Sequence, residues 1–294
     1  MSRIFLFSVL VFLSGGALSS CSDNDDKAMP VELPVRLQTE TEYYDNALEE
    51  YSVYQYDNLG RALEVSTIFG ADDAMSTKYY LYSDSLVLGY EYSTFDDIPY
   101  IETHYLNGRG LADSTVFRYD GQDRAVIRYL YNNQGYKVRS EFASKQFAMY
   151  FEDQYQYENG NMTRLVMKMV FGTPDPEALS VARLAESLRF SPSVRERLLH
   201  RIQSCGQQIR EQELFQDTLY YEYLPQRNTL SDHNRGLLFQ GRPNTNLVSK
   251  YTIQNGPDRE VYTYEYLFDG KGRAIKQYEP DGESAYMSDF SYTE

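Results

Sequence analysis

Tyr54-Gln55-Tyr56-Asp57-Asn58-Leu59-Gly60-Arg61 writes a strand end, a tight turn and the start of a return strand in one short stretch. Two aromatics two positions apart lie on one face of a strand. Asp at the first turn position accepts backbone N–H bonds, and Gly takes the left-handed position of a type I turn with a G1 bulge. Tyr266-Leu267-Phe268-Asp269-Gly270-Lys271-Gly272-Arg273 repeats the unit closely. Weaker copies are Phe117 to Arg124, with Asp123 in the Gly place, Tyr129 to Gly135, which lacks the Arg, and Tyr155 to Gly160, which shortens to a two-residue turn. Degenerate versions stand at Tyr80 to Asp84 and Tyr105 to Gly110. From Tyr56 through Tyr82, Tyr105 and Tyr131 to Tyr157 the steps are 26, 23, 26 and 26 residues, enough for one strand, a turn, a second strand and a return turn. The recurring Asp residues do not make calcium loops, which need several more oxygen ligands at alternate positions.

The flanking residues alternate as half-buried strands do. Tyr262, Tyr264, Tyr266 and Phe268 share one face and Val261, Thr263, Glu265 and Leu267 the other; around the first copy, Leu63, Val65, Thr67 and Phe69 oppose Ala62, Glu64, Ser66 and Ile68. A bilayer-spanning barrel needs a uniformly apolar outward face. Gln55, Arg118, Gln156 and Glu265 interleave with the aromatics and argue against that.

Composition narrows the class further. In 294 residues there are 29 Tyr, 15 Phe and no Trp, with 28 Lys and Arg against 43 Asp and Glu for a net charge of -15. A nucleic-acid partner needs clustered cations to displace counterions, and anionic membrane surfaces are disfavoured for the same reason. The aromatic content is too high for a disordered chain.

The first residues read as an address. Arg3 supplies a positive charge, Ile4 to Leu13 is an apolar run too short to span a bilayer, and Gly15, Gly16 and Ala17 follow. The run ends in Leu18-Ser19-Ser20-Cys21, which resembles the bacterial lipobox and implies a signal peptide over 1–20 with lipid attachment at Cys21. An acidic tether over 21–33, beginning Ser22-Asp23-Asn24-Asp25-Asp26, is similar to the export signal of Bacteroidetes surface lipoproteins. With Cys21 lipidated, Cys205 has no partner for a disulfide and reads as a small core hydrophobe, despite His200 and Arg201 nearby.

The hairpin unit is similar to the tyrosine-aspartate repeats of RHS shell proteins. The carboxyl-terminal part, Phe239 to Lys250 followed by Tyr262 to Tyr266, the Asp269 to Arg273 turn and a closing aromatic strand from Tyr286 to Tyr292, together with the lipobox and acidic tether, resembles a family of Bacteroidetes lipoproteins of unknown function with a porin-like fold. That resemblance implies a large antiparallel barrel or strongly curved sheet and carries over no catalytic residue.

Residues 174–216 break the strand rhythm. Val181, Leu184, Ala185 and Leu188, and after Ser191-Pro192-Ser193 also Leu198, Ile202, Cys205 and Ile209, keep helical spacing and predict a two-helix insert that caps or plugs one end of the β-domain formed by 34–173 and 217–294.

Sites of catalysis are hard to find. His104, His200 and His233 fall in a strand, a helix and a loop. Ser231-Asp232-His233 names the triad residues, but neighbours in sequence cannot form a relay in which a base bridges nucleophile and orienter through space. Gly108-Arg109-Gly110 begins like a dinucleotide fingerprint but has Asp113 where the third Gly belongs. Asp72-Asp73 and Asp96-Asp97 read as solvated acids; glycosidase chemistry needs distant carboxylates brought about 5 to 9 Å apart. Asp84-Ser85-Leu86 and Asp217-Thr218-Leu219 are similar to a short O-glycosylation acceptor pattern. The expectation is a mainly β, lipid-anchored cell-envelope protein at the outer membrane, on the cell surface or otherwise the periplasmic face. It has no catalytic, cofactor or metal residues, touches the membrane through its anchor only, and binds or scaffolds an extracellular glycan or protein. The competing reading is an envelope glycan hydrolase.

Overall fold

The structure, a computed structural model, describes residues 35–70, 74–94, 96–144, 149–171, 213–281 and 284–293. The predicted signal peptide, the tether with Cys21, the bulk of the helical insert with His200 and Cys205, and Asp72-Asp73 lie outside these residues. The described part of the chain is almost wholly strand. In order these are β1 (Leu37–Tyr44), β2 (Ala47–Tyr56), β3 (Ala62–Phe69), β4 (Ala74–Tyr82), β5 (Leu86–Ser93), β6 (Asp96–Leu106), β7 (Ala112–Tyr119), β8 (Gln122–Tyr131) and β9 (Lys137–Ser144), followed by β10 (Met149–Glu158), β11 (Asn161–Phe171), β12 (Glu213–Arg227), β13 (Asn246–Asn255), β14 (Asp258–Thr263), β15 (Glu265–Phe268), β16 (Ala274–Asp281) and β17 (Ser284–Tyr292). A single 3-10 turn stands at Leu238–Gln240.

Apart from β14 and β15, consecutive strands pair antiparallel, and β1 pairs with both β2 and β17, so the meander curls into a nearly closed barrel. The seam lies at Tyr264. β14 pairs with β13, β15 pairs with β16, and the Tyr264 N–H donates to Ser249 O at 2.8 Å where the chain changes partner.

The repeated turns gather at one mouth. At Asp57 the carboxylate Oδ1 accepts from Leu59 N at 2.9 Å and Arg61 N at 2.8 Å, while Oδ2 takes Arg61 Nε at 2.6 Å. At Asp269 the same three bonds recur at 2.9, 2.8 and 2.6 Å. Burial pushes the Asp57 carboxyl up, but the backbone and side-chain bonds from Arg61 and the Leu59 N–H overcome it and hold the group below its usual value. Asn107 and Asn132 perform the same capping as neutral amides: Asn107 Oδ1 accepts from Arg109 N and Leu111 N, and Asn132 Oδ1 from Gln134 N and Tyr136 N.

Four readings of the sequence need correction. The copy at Phe117 to Arg124 lies at the opposite mouth, where Asp120 and Gly121 (φ 50° and 69°) form a two-residue turn of the hairpin type. Tyr105 faces outward, 46 % exposed, because regular alternation from the buried Glu102 and His104 gives Leu106 the inward position. A bulge pairs Tyr56 with Ala62 and Gln55 with Glu64, so Leu63 is thrown outward while Ala62 is wholly buried beside Val65. Finally, 213–216 belong to strand β12 and not to a helix.

The barrel interior follows from register. Tyr54, Val65, Tyr80 and Val87 are buried in one inward cluster with Leu37, Phe290 and Tyr292, and Leu165, Leu219, Tyr251 and Ile253 form another on the far wall. In β14 and β15 the tyrosines face in and Val261 and Leu267 are exposed, as the alternation requires.

Candidate functional site

A ring of this many strands encloses more space than wall side chains can fill. At the motif mouth the space is taken by residues 228–245, the link from β12 to β13. Its local folding comes from short polar side chains. Asn228 Oδ1 accepts from Leu230 N at 2.9 Å, and Asn234 Oδ1 accepts the Ser231 hydroxyl at 2.6 Å, winding the chain into a turn. Gly236 has φ +78°, and a Cβ there would stand 2.5 Å from Ala62 N and 2.8 Å from a Tyr56 ring carbon, so only glycine fits. The turn drives Leu237 and Phe239, each 3 % exposed, into the barrel.

Backbone bonds then fasten the segment around the rim. Leu37 N donates to Asn234 O, Ala62 N to Gly236 O, Arg242 N to Gly135 O and Thr245 N to Gly160 O, at 2.8 to 3.2 Å. The far side is held at Tyr292, whose hydroxyl lies 3.0 Å from Thr229 Oγ1 and donates to Ala274 O at 2.5 Å. Arg36 reaches from the chain entry to Gly60 O and His233 O at 2.6 and 2.9 Å.

Beneath this plug the inward faces carry charge. Arg235 of the plug meets Glu40 of β1 in a two-pronged pair, Nη2 to Oε1 at 2.6 Å and Nε to Oε2 at 3.0 Å, and Tyr54 OH donates to the same carboxylate at 2.8 Å. Across the lumen, Lys78 Nζ stands 2.6 Å from Glu102 Oε1, and His104 Nε2 lies 3.3 Å from Glu102 Oε2. That nitrogen falls outside hydrogen-bond geometry despite the short distance. His104 Nδ1 pairs with Thr115 Oγ1 at 2.8 Å, Thr115 approaches Tyr129 OH at 3.3 Å, and the Phe239 ring sits 4.5 Å from the imidazole. Lys137 continues the chain, its ammonium 4.5 Å from the Tyr129 ring centre, facing Asp153 and Asp232. Asp153 accepts from Ser140 at 3.0 Å and from Tyr155 OH at 3.2 Å.

These groups respond differently to burial. Desolvation would raise the Glu102 carboxyl, but the Lys78 ammonium and His104 hold it far below the usual range. At Asp153 desolvation outweighs the bonds from Ser140 and Tyr155 and the group is raised; at Lys137 desolvation outweighs the two carboxylates and the ammonium is lowered. On the far wall Tyr251 OH donates to Glu279 Oε1 at 3.3 Å, and Tyr262 stacks on Tyr251 at 4.7 Å. Glu40, Glu91, Glu102, Asp153 and Glu279 on the inward faces are thus each engaged by a cation or hydroxyl donors. The arrangement suits rigid polar cross-linking of the barrel wall.

The sequence candidates are dispersed. His104 is 3 % exposed on β6 and His233 sits in the plug with Nε2 buried and unbonded. The Ser231 hydroxyl goes to Asn234, so Ser231-Asp232-His233 forms no relay. Gly108-Arg109-Gly110 is a capped turn whose Arg109 reaches Asn132 O at 2.9 Å. Asp96 accepts the Tyr119 hydroxyl, and Asp217 lies in β12. Among the described residues no His, Cys, Asp and Glu group is arranged to hold a metal ion. Sequence reasoning missed Lys78, Glu102, Lys137, Asp153 and the Glu40–Arg235 pair. The available signal was a charge on the same strand face as an aromatic, as in Lys78 with Tyr80 and Asp153 with Tyr155.

No family model matches the chain, and no curated protein matches it. Among solved structures, the chain is similar to a porin-like protein from Bacteroides uniformis, with a TM-score of 0.51 and 14 % identity over 87 % of this chain and 96 % of that one. It is also similar to a porin-like protein from Bacteroides vulgatus, with a TM-score of 0.53 and 12 % identity over 88 % of this chain and 99 % of that one. At these identities the likeness is one of fold: a porin-like antiparallel β architecture.

Proposed function

We propose that this porin-like barrel is a non-catalytic envelope module, lipid-anchored at Cys21, that binds or scaffolds an extracellular glycan or protein. The observation that carries the reading is the plug: residues 228–245 are bonded around one mouth and bury Leu237 and Phe239 in the lumen, an arrangement suited to a solid support and not to a conduit. The outward faces support it. Gln55, Arg118, Gln156 and Glu265 sit on the exterior of their strands, where a spanning barrel would meet hydrocarbon. The outer-membrane location and the cell-surface side belong to the same proposal and rest on the lipobox and acidic tether; the Bacteroides fold relatives are compatible with them.

The test has two arms. Globomycin treatment and a Cys21→Ala chain should each abolish membrane retention, and unaltered retention would overturn the anchor. The purified protein on a glycan and protein array should capture a ligand without turning it over. Hydrolysis of an array glycan that disappears in Asp153→Asn would overturn the non-catalytic reading, because Asp153 is the luminal carboxyl whose burial favours the protonated form a general acid needs.

A further inference from the structure

The barrel wall is not uniform outside. On β8 to β11 the outward positions include Arg128, Arg139, Glu141, Glu152, Arg164 and Lys168, with Arg139 paired to Glu141 at 2.7 Å and to Glu152 at 3.2 Å. On β4, β5 and β6 the outward positions from 75 to 81, 86 to 92 and 99 to 105 carry no charge at all. Register stacks Leu81, Leu88 and Thr103 in one row and Tyr79, Tyr90 and Ile101 in the next. Leu81 is 58 % exposed and Tyr92 52 %, and Tyr79 and Tyr92 meet edge to face with ring centres 6.4 Å apart.

We infer that this face docks the barrel sideways on the membrane surface, its tyrosines at headgroup depth. The inference rests on the anchored reading proposed above and deepens it. Three strands at about 4.8 Å spacing and eight residues at about 3.3 Å rise make a face of roughly 14 by 26 Å. Two copies facing each other would bury about 700 Å², short of the roughly 1,200 Å² that a stable protein interface takes, and any protein partner meets the same limit. A lipid surface needs no such area once the barrel is tethered, since tethering holds the face at about millimolar effective concentration. The sixteen residues from Cys21 to Leu37 reach at most about 55 Å, so the wall stays within touch of the bilayer. Leucines with tyrosines suit the interface, where the ring body is apolar and the hydroxyl wet. The docking is shallow and one-sided, because the charges of β8 to β11 hold the adjoining wall in water.

The chain contains no tryptophan, which supplies the assay. Single-reporter variants Tyr79→Trp and Tyr92→Trp are compared with Tyr220→Trp on the outer face of β12, at 42 % exposure a matched control. Each is placed on phosphatidylcholine vesicles containing brominated lipid in two forms: the envelope-extracted protein on its own anchor, and the mature chain beginning at Cys21, in a Cys205→Ser background, coupled through Cys21 to a maleimide lipid. Quenching roughly threefold or more stronger at positions 79 and 92 than at 220 is expected in both. Equal quenching at all three, or none, in the coupled form overturns the docking. So does a dimer in sedimentation that shields the Trp at 79 without vesicles, which would assign the face to a second copy. If the extracted protein does not associate with vesicles while the coupled form shows the contrast, the anchor reading fails and the docking stands.

Discussion

Replacing Arg235 with Met should loosen the plug and cost the barrel about 3 kcal/mol. The guanidinium joins the plug to β1 through Glu40 at 2.6 and 3.0 Å and also donates from Nη1 to Leu230 O at 2.6 Å. Removing one member of a buried pair costs about 3 to 5 kcal/mol, since the other charge is left without its partner. Side-chain exposures of 20 % for Arg235 and 12 % for Glu40 let some water reach the orphan, which places the loss at the low end. At roughly 2 to 4 °C per kcal/mol for a chain of this size, Arg235→Met lowers Tm by about 6 to 12 °C. Glu40→Gln keeps an acceptor for Tyr54 and costs a similar amount, through a stranded guanidinium. The double variant removes both charges, so it should be more stable than the sum of the singles by about 2 kcal/mol. The measurement is urea unfolding of all four proteins at pH 7, followed by tyrosine fluorescence and circular dichroism. Single losses under about 1 kcal/mol, or additive ones, would refute the claim that this pair latches the plug.

Gly236→Ala meets backbone at 2.5 Å with φ +78° and should cost about 2 kcal/mol or more, whereas Gly272→Ala, at φ +76° in open space, carries only the left-handed term of about 1 kcal/mol; urea midpoints compare them. Asp57 and Asp269 are held below their usual values, Asp57 against its own burial and Asp269 chiefly by the Arg273 N–H, so their contribution is present above about pH 4 and lost as pH falls through the folded values. The double variant Asp57→Asn/Asp269→Asn copies the native Asn107 and Asn132 turns but gives up the bonds to Arg61 and Arg273 Nε, so it should lower stability at pH 7 and flatten that acid limb in unfolding titrations; an unchanged limb would count against the turns as its source. Burial pushes the Tyr292 hydroxyl up to about 12. The sign for a raised acid is stability intact below about pH 10 and lost as pH rises through 12, and Tyr292→Phe should remove part of that alkaline loss while weakening the bonds to Thr229 and Ala274.

The hairpins were legible because their instructions are local. Asp57 and Asp269 cap amides two and four residues ahead, and such bonds depend on nothing distant. The faces at β14 and β15 were legible for the same reason, since inward Tyr and outward Val and Thr alternate within one strand. The reading slipped in two ways: Leu63 is the residue the pairing ladder skips, and the ladder is set by the partner strand, whereas Tyr105 stands one place out of step with the motif, Leu106 preceding the turn Asn107 as Tyr56 precedes Asp57. The luminal charges were illegible for a stronger reason. Glu40 and Arg235 are 195 residues apart, and only closure of β1 against β17 together with the inward turn at Asn234 brings them to 2.6 Å.

The plug explains why closure and filling must arise together. A porin-like ring leaves a lumen, and inward rows of Tyr, Lys and Glu facing an empty lumen would stay hydrated and gain little from burial. The link from β12 to β13 changes that balance. It brings Leu237 and Phe239 to the inward faces of β2 to β6, so that Tyr54, Tyr80 and Val87 bury against something, and it brings Arg235 to the one carboxylate of β1 that also holds Tyr54. The same link bonds to the hairpins at Ala62, Gly135 and Gly160 through their backbone, and Arg242 also lies over the Tyr136 ring. The repeated turn therefore does two jobs: its Asp or Asn closes the hairpin from within, and at Gly135 and Gly160 the glycine carbonyl accepts from the segment that fills the mouth. Outward alternation could then diverge wall by wall, charged on β8 to β11 and bare on β4 to β6, because the interior no longer depended on it.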